Sequence, residues 1–502
     1  MQRVTGRTRG TAGPIAAVKS GVVASGGTFV AACVAAVMIV VWEREASAVT
    51  WDEMQLALGL LALCSVPSLT LCLLTRRDGR FPFLDVGVMC VMVTTLYFVM
   101  PLVNFMAGGM AFTVLSDNRL FVYNPLPRDI VPLIWGAVLY LVAFCSVYVM
   151  LRGEGCPLDV AIAKPSRARI AVVTLLLAGL GLFILAIEVM YRVSLAPSYA
   201  DLRAGVGLVT QLPYYLQQLV HNLQGMFLIA KQALLIVVFF YWRRVPIRVF
   251  GIAWLLAEIM WAVARQGART EAVLMILSAA LLYHRLVRPL SFSRVSLGGC
   301  VLLAAVLVAG FVRDIGFEVG EMPVTPLADV SFLSVTNEFQ SLFGTAYDLH
   351  EKSAGGQLTT IPWTLYVSEI LQLIPSQVLP FQKIGPAEWY LELIGLKDSQ
   401  VGFMFGVLSQ GVIGWGWAEL FGRGMLLAGV YAAFHRWYVR RAASSSATLV
   451  YVFICVWSYY TVRATTFYFI YFLLYRLVPF VVAVMIGERI LSAAVARPGK
   501  NR

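Results

Sequence analysis

Residues 169–191 read RIAVVTLLLAGLGLFILAIEVMY, a mainly apolar run with Glu188 as its one charge after Arg169, which ends the basic stretch Arg152…Lys164…Arg169. About 20 such residues cross a hydrocarbon core ~30 Å thick as one helix, since in lipid every backbone polar group must be satisfied within the segment. Outward from this stretch the pattern recurs near 21–42, 55–75, 82–103, 130–151, 216–241, 248–264, 270–287, 295–312, 422–438, 447–463 and 465–487. The expected fold is therefore all-α, a polytopic membrane helical bundle of about twelve transmembrane helices. The run 21–42 is too long for a signal-peptide core and no small-residue cleavage site follows it, so it reads as a retained first helix.

Composition points the same way. Apolar residues make up 60% of the 502 positions and charged residues 13%. That charged share is about half the usual ~25% of soluble chains, so the length implies one embedded bundle rather than several soluble domains. The net charge of +12 does not point to nucleic acid, because Lys and Arg sit in short loops between apolar runs. Alternate connections are the basic ones: Arg3…Lys19, Arg76…Arg80, Arg152…Arg169, Arg243…Arg248, Arg285…Arg294, Arg436…Arg441 and Arg489…Arg502. The positive-inside rule then places these connections and both termini in the cytoplasm. Of the eight cysteines, seven lie in apolar runs and Cys156 in a basic loop, with no CxxC, so neither a disulfide framework nor a zinc site is indicated.

One connection on the opposite side is long and has the composition of ordered chain. The division is a first bundle over 1–312 of about nine helices, a periplasmic loop over 313–421 between helices nine and ten, and C-terminal helices with a cytoplasmic tail over 422–502. Within the loop, a helix beginning near Asp329 or Ser331 carries Phe332, Phe339, Leu342, Phe343 and Tyr347 on one side and ends before Gly355. Shorter helices are expected at 363–373, stopped by Pro375, and between Pro386 and Gly395. Pieces too short to span and amphipathic in character suit an interfacial lid.

Candidate chemistry concentrates on the loop side. Arg265 and Arg269 lie four apart in a tight outside hairpin, where the charge bias predicts few cations. Arg forks match phosphate oxygens, so the pair is a candidate anion site; the alternative is a pair of snorkelling flanks. Arg313 follows helix nine, and Arg463 lies at the outside turn between the last two helices; each is a candidate anion contact or a plain surface charge. Glu338, beside Asn337 in the lid helix, is a candidate proton acceptor or else a solvated face. Asp348, His350 and Glu351 read as surface, and Glu419 as a support for a neighbouring Arg. Lys231 and Glu258 sit inside helices, functional by default at membrane depth, although a structural pair accounts for them equally. There is no P-loop, GxSxG, HExxH or outside Asp-x-Asp, so no metal or cofactor is expected.

Three stretches in order carry a family resemblance: Gln266-Gly267-Ala268-Arg269 running to Tyr283-His284-Arg285; Arg313 followed by Asn337-Glu338-Phe339; and Gly402-Phe403-Met404-Phe405-Gly406 followed by Trp417-Ala418-Glu419-Leu420-Phe421-Gly422. In these the chain resembles the Wzy-type oligosaccharide repeat-unit polymerases, or O-antigen polymerases, mainly over 260–435. The paired Arg-x10-Gly loop motif of some such polymerases is absent: Arg192, Arg203, Arg265 and Arg313 lack Gly at that spacing.

The resemblance implies a membrane glycosyltransferase of the bacterial inner membrane, acting at its periplasmic face in lipopolysaccharide or related polysaccharide biosynthesis. It implies undecaprenyl-pyrophosphate-linked glycans as substrates, membrane lipids around them, and a chain-length regulator and a flippase as partners, with no nucleic acid. Arg265, Arg269, Arg313 and Arg463 would hold pyrophosphate, Arg269 and Glu338 would serve catalysis, and Asn337 and Glu419 would support them. An O-antigen ligase shares the donor and is the nearest alternative. A polysaccharide or lipid transporter fits the helix number, but one long loop in the second half breaks the two-fold repeat common in transporters.

Overall fold

The computed structural model describes residues 50–106, 112–116, 119–123, 126–193, 212–264, 269–302, 304–305, 337–358, 361–375, 378–381, 383–395 and 405–496, a few of them as backbone only. The order is α1 (Trp51–Asp78), α2 (Val86–Met106), the hairpin β1 (Phe112–Ser116) and β2 (Arg119–Tyr123), α3 (Pro127–Leu151), α4 (Arg167–Tyr191), α5 (Tyr214–Phe240), α6 (Val245–Ala264), α7 (Arg269–Leu286) and α8 (Phe292–Leu302). There follow α9 (Asn337–Ala354), α10 (Trp363–Tyr366), α11 (Ser368–Leu371), α12 (Pro386–Leu393), α13 (Val407–Ile413), α14 (Trp417–Arg440), α15 (Ser445–Trp457), α16 (Tyr460–Arg463), α17 (Tyr468–Phe472), a π-helical turn at Leu473–Leu477, and α18 (Val478–Ala496). The fold is helical, as the apolar runs predict. The antiparallel hairpin, with Phe112 opposite Tyr123, is the exception among the described residues and has no counterpart in the sequence reading.

Seven described helices are long and apolar enough to cross a membrane: Trp51–Asp78, Val86–Val103, Pro127–Leu151, Arg167–Tyr191, Leu219–Phe240, Ser445–Arg463 and Tyr468–Ala493. Three further expected runs are helical where they were placed, as α6, α7 and α14. Both α7 and α14 hold charged residues within their length, among them Glu271 and Arg285, and Glu419, Arg423 and Arg436. The run near 21–42 lies outside the described residues.

Local signals set the helix ends. Thr50 and Glu53 cap α1 reciprocally, Glu53 N donating to Thr50 Oγ1 at 3.3 Å and Thr50 N to Glu53 Oε2 at 2.7 Å. Gly79 ends it with φ 69°, the left-handed region that glycine enters without steric cost. The helix α3 packs between α1 and α14. At Gly424 of α14 a Cβ would stand 2.6 Å from the Tyr140 carbonyl oxygen, so the two backbones touch where only glycine fits.

Several described basic connections meet one another, Arg80 donating to the Cys156 carbonyl and Arg169 to Ser445 and Glu488, but two of their arginines are not solvated flanks. Arg152 is fully buried, its Nε 2.5 Å from Asp85 Oδ2 and its Nη2 2.6 Å from Asp78 Oδ2. Tyr148 donates to the other Asp85 oxygen at 2.6 Å. Arg285, also buried, donates to the carbonyls of Leu158, Val160 and Ala442. A buried charge cluster is tolerated only when its members are paired and hydrogen-bonded, and here it decides which helix ends meet.

The loop side departs from a lid lying on lipid. Phe339, Leu342, Phe343 and Tyr347 of α9 are all buried. Phe343 meets Phe98 with ring centroids 6.1 Å apart and Phe339 meets Tyr97 at 4.8 Å, so the apolar stripe is sealed against α2. Asp348, read as surface in the sequence, is 2% exposed. It accepts from Tyr390 at 2.9 Å and pairs with Lys352, which makes its burial tolerable. Leu349, Leu365, Trp389, Tyr390, Phe405 and Ile413 form a second, smaller core that caps this end.

Candidate functional site

Four segments from distant parts of the sequence converge at this capped end: α11, α13, the first turns of α14, and the turn 464–467. Arg423, one turn inside α14, joins them. Its Nη1 donates to Glu369 Oε2 at 2.8 Å and to Thr466 Oγ1 at 3.2 Å, and its Nε to Glu419 Oε1 at 2.7 Å. Glu369 also accepts from Gln410 Nε2 and from the Phe467 N–H, each at 3.2 Å. Gln410 Oε1 accepts from the Thr466 N–H at 3.1 Å and from its hydroxyl at 3.0 Å.

The chain preceding α14 is shaped for this knot. Glu419 Oε2 accepts from the Trp415 N–H at 2.9 Å. A Cβ at Gly414 would stand 1.6 Å from that carboxylate oxygen, and Gly416 has φ 60°. The Gly414-Trp415-Gly416 turn thus lets a carboxylate cap the start of α14 while facing Arg423, and it leaves Trp415 83% exposed. Each accepting several hydrogen bonds, Glu369 and Glu419 are suited to hold Arg423 in place. Tyr140 lies within electrostatic reach of Arg423 and Glu369, and its buried hydroxyl has no hydrogen-bond partner among the described residues. Ser409 and Thr465, neighbours in sequence of Gln410 and Thr466, also carry buried hydroxyls without such a partner.

Arg463 belongs to the turn that supplies Thr466. It is half-buried, with its guanidinium 5.5 Å from the centroid of the Tyr459 ring. From Trp457 to Tyr475 the chain presents a ladder of rings: Trp457 stacks on Tyr460, Tyr460 meets Tyr468 and Phe472, and Tyr471 meets Tyr475. Tyr459, Tyr460, Tyr468, Tyr471 and Tyr475 are half-buried. An aromatic wall with a few fixed polar groups is the ordinary composition of a small-molecule site.

Among the residues expected to bind pyrophosphate or serve catalysis, the described side chains are those of Glu419 and Arg463. Arg269 opens α7, and Asn337 and Glu338 open α9, as backbone only. Arg265 and Arg313 lie outside the described residues. Lys231 and Glu258 form an ion pair at 2.8 Å between α5 and α6, with Trp254 donating to the same carboxylate at 3.1 Å, which accounts for both charges. Sequence reading missed Glu369, Gln410, Arg423 and Thr466. The Gly-Trp-Gly turn before Glu419 is the one local signal of this knot; nothing within α11 marks Glu369. Among the described residues no group of three or more His, Cys, Asp or Glu is placed to hold a metal ion. No family model, no curated relative and no solved structure matches the chain.

Proposed function

We propose that this chain is a membrane glycosyltransferase that polymerises oligosaccharide repeat units carried on undecaprenyl pyrophosphate, at the periplasmic face of the bacterial inner membrane. The observation that carries the reading is the site beside Arg463: a guanidinium and a half-buried aromatic ladder next to the Arg423–Glu369–Glu419 knot. Aromatic faces suit the apolar faces of sugar rings, and guanidinium groups suit the carrier's phosphates.

In this reading about twelve helices span the membrane, both termini are cytoplasmic, and 313–421 is the periplasmic segment between helices nine and ten. The acceptor hydroxyl attacks the anomeric carbon of the donor, the carbon–oxygen bond to pyrophosphate breaks, and the lipid pyrophosphate leaves with the bonding electrons. Arg269, with Arg265, Arg313 and Arg463, stabilises the charge that grows on the leaving group, and Glu338 takes the hydroxyl proton, with Asn337 and Glu419 in support. A chain-length regulator and a flippase are its expected partners.

The test is a polymerisation assay on purified lipid-linked repeat units, with and without excess EDTA. Long chains in both arms are expected, since the sequence offers no outside Asp-x-Asp pair for a divalent ion. Activity lost to EDTA and restored by Mg²⁺ or Mn²⁺ refutes the metal-free mechanism. Transfer to lipid A core without elongation identifies a ligase, and movement of substrate across vesicles without bond formation identifies a transporter.

A further inference from the structure

A second guanidinium lies against the same aromatic ladder and shares no hydrogen bond with the Arg423 knot among the described residues. Arg476, in the π-helical turn, is 5% exposed. Its guanidinium faces the rings of Phe472 at 4.2 Å and Trp457 at 5.3 Å, and its Nη2 lies 2.6 Å from His221 Nε2 on α5. No carboxylate pairs with it among the described residues, and its Nε has no hydrogen-bond partner there. The close approach depends on Gly225, where a Cβ would stand 2.1 Å from Arg476 Cδ.

Three properties of this place point to a ligand. Ring faces offset part of the cost of a buried cation, but they supply neither a countercharge nor an acceptor for Nε. A guanidinium only donates, so His221 Nε2 accepts and the neutral imidazole carries its proton on Nδ1. His221 is exposed as a residue, although Arg476 beside it is buried. The pair therefore offers the free Nδ1–H of an exposed residue, backed by an uncompensated charge. The π-helical turn that carries Arg476 interrupts the regular ladder between α17 and α18, a distortion frequent at functional sites.

We propose that Arg476 and His221 form a binding site for a phosphate group, separate from the Arg423 knot. Guanidinium geometry matches phosphate oxygens, and an anion there supplies the countercharge. The site itself does not depend on the glycosyltransferase reading; assigning the phosphate to a lipid carrier does rest on it. Two sources share the chemistry, a lipid pyrophosphate and free inorganic phosphate.

Binding to the purified full-length protein in detergent distinguishes them, measured calorimetrically with farnesyl pyrophosphate, sodium pyrophosphate and farnesol. Farnesyl pyrophosphate is expected to bind, sodium pyrophosphate more weakly, and farnesol not at all. Equal affinity for the two anions assigns the site to free phosphate. Arg476→Gln and His221→Gln should each weaken anion binding by about tenfold or more. His221→Gln alters an exposed ring and guards against loss of fold in the Arg476 variant, while Arg476→Lys should retain part of the affinity. Binding unchanged in both Gln variants, or no anion bound by the unaltered protein, overturns the proposal. The readout involves no glycan, so its failure leaves the polymerisation assay intact, and failure of that assay leaves this result intact.

Discussion

Arg423 and Glu369 stand 54 positions apart in the chain and 2.8 Å apart in space. The contact ties a short helix of the long loop to the start of α14, and both side chains are nearly buried, at 13% and 12% exposure. Removing Arg423 leaves two carboxylates, Glu369 and Glu419, without their cation. Arg423→Gln should lower stability by about 3 kcal/mol, read as the unfolding transition in detergent. The double variant Arg423→Gln/Glu369→Gln should recover part of that loss. A double variant as unstable as the sum of the single ones would show the two residues to be uncoupled.

Gly424 and Gly429 lie on the same helix and should respond in opposite ways. Gly424→Ala drives a Cβ into the Tyr140 carbonyl oxygen, and overpacking of this kind costs about 1–3 kcal/mol. At Gly429 nothing stands within 4 Å of an added Cβ, so Gly429→Ala should be neutral or stabilising by about 0.5–1 kcal/mol. Thermal unfolding of the two variants side by side measures the difference.

Cys156 sits in a basic loop yet is buried, and burial pushes its thiol up from 9.0 to about 11. At neutral pH it is a thiol rather than the reactive thiolate, so maleimide should leave it unmodified in the folded protein and label it after denaturation. The folded value is the raised one, so its contribution to stability is whole below pH 9.0 and is lost as pH rises through about 11. Cys156→Ala should flatten that part of the alkaline unfolding profile. Rapid labelling at pH 7 without denaturant would contradict the burial.

Ser353, near the end of α9, is exposed and belongs to the segment read as periplasmic. In Ser353→Cys, a membrane-impermeant maleimide applied to whole cells should modify this position. Modification that appears only once the inner membrane is permeabilised would reverse the topology.

Arg269 tests the chemistry. A preorganised donor at a developing charge contributes about 10²–10³-fold in rate, and Lys keeps the charge without the fork. Arg269→Ala should abolish long glycan chains at normal protein level while single repeat units still reach the lipid core, and Arg269→Lys should fall between. A ladder of normal length in Arg269→Ala removes the residue from the mechanism.

That the chain is helical, with several runs long and apolar enough to cross a membrane, was legible without coordinates. It rests on short-range quantities, the length of apolar runs and the alternation of charge between them, and backbone bonds that close within each segment make those quantities sufficient. The helix carrying Phe339, Leu342, Phe343 and Tyr347 was legible for the same reason, since a stripe needs only 3.6-residue periodicity. Its destination was not: lipid and the flank of α2 are equally apolar, and only the tertiary fold sets Phe343 against Phe98. Charges divide likewise. Glu419 and Arg423 lie one turn apart, a proximity the sequence contains, whereas Glu369 reaches Arg423, and His221 reaches Arg476, across 54 and 255 positions. Helix periodicity does not extend across a chain reversal. Which buried charge finds which partner is decided by the packing that brings distant helix ends together, and by the cost of leaving either one unpaired there.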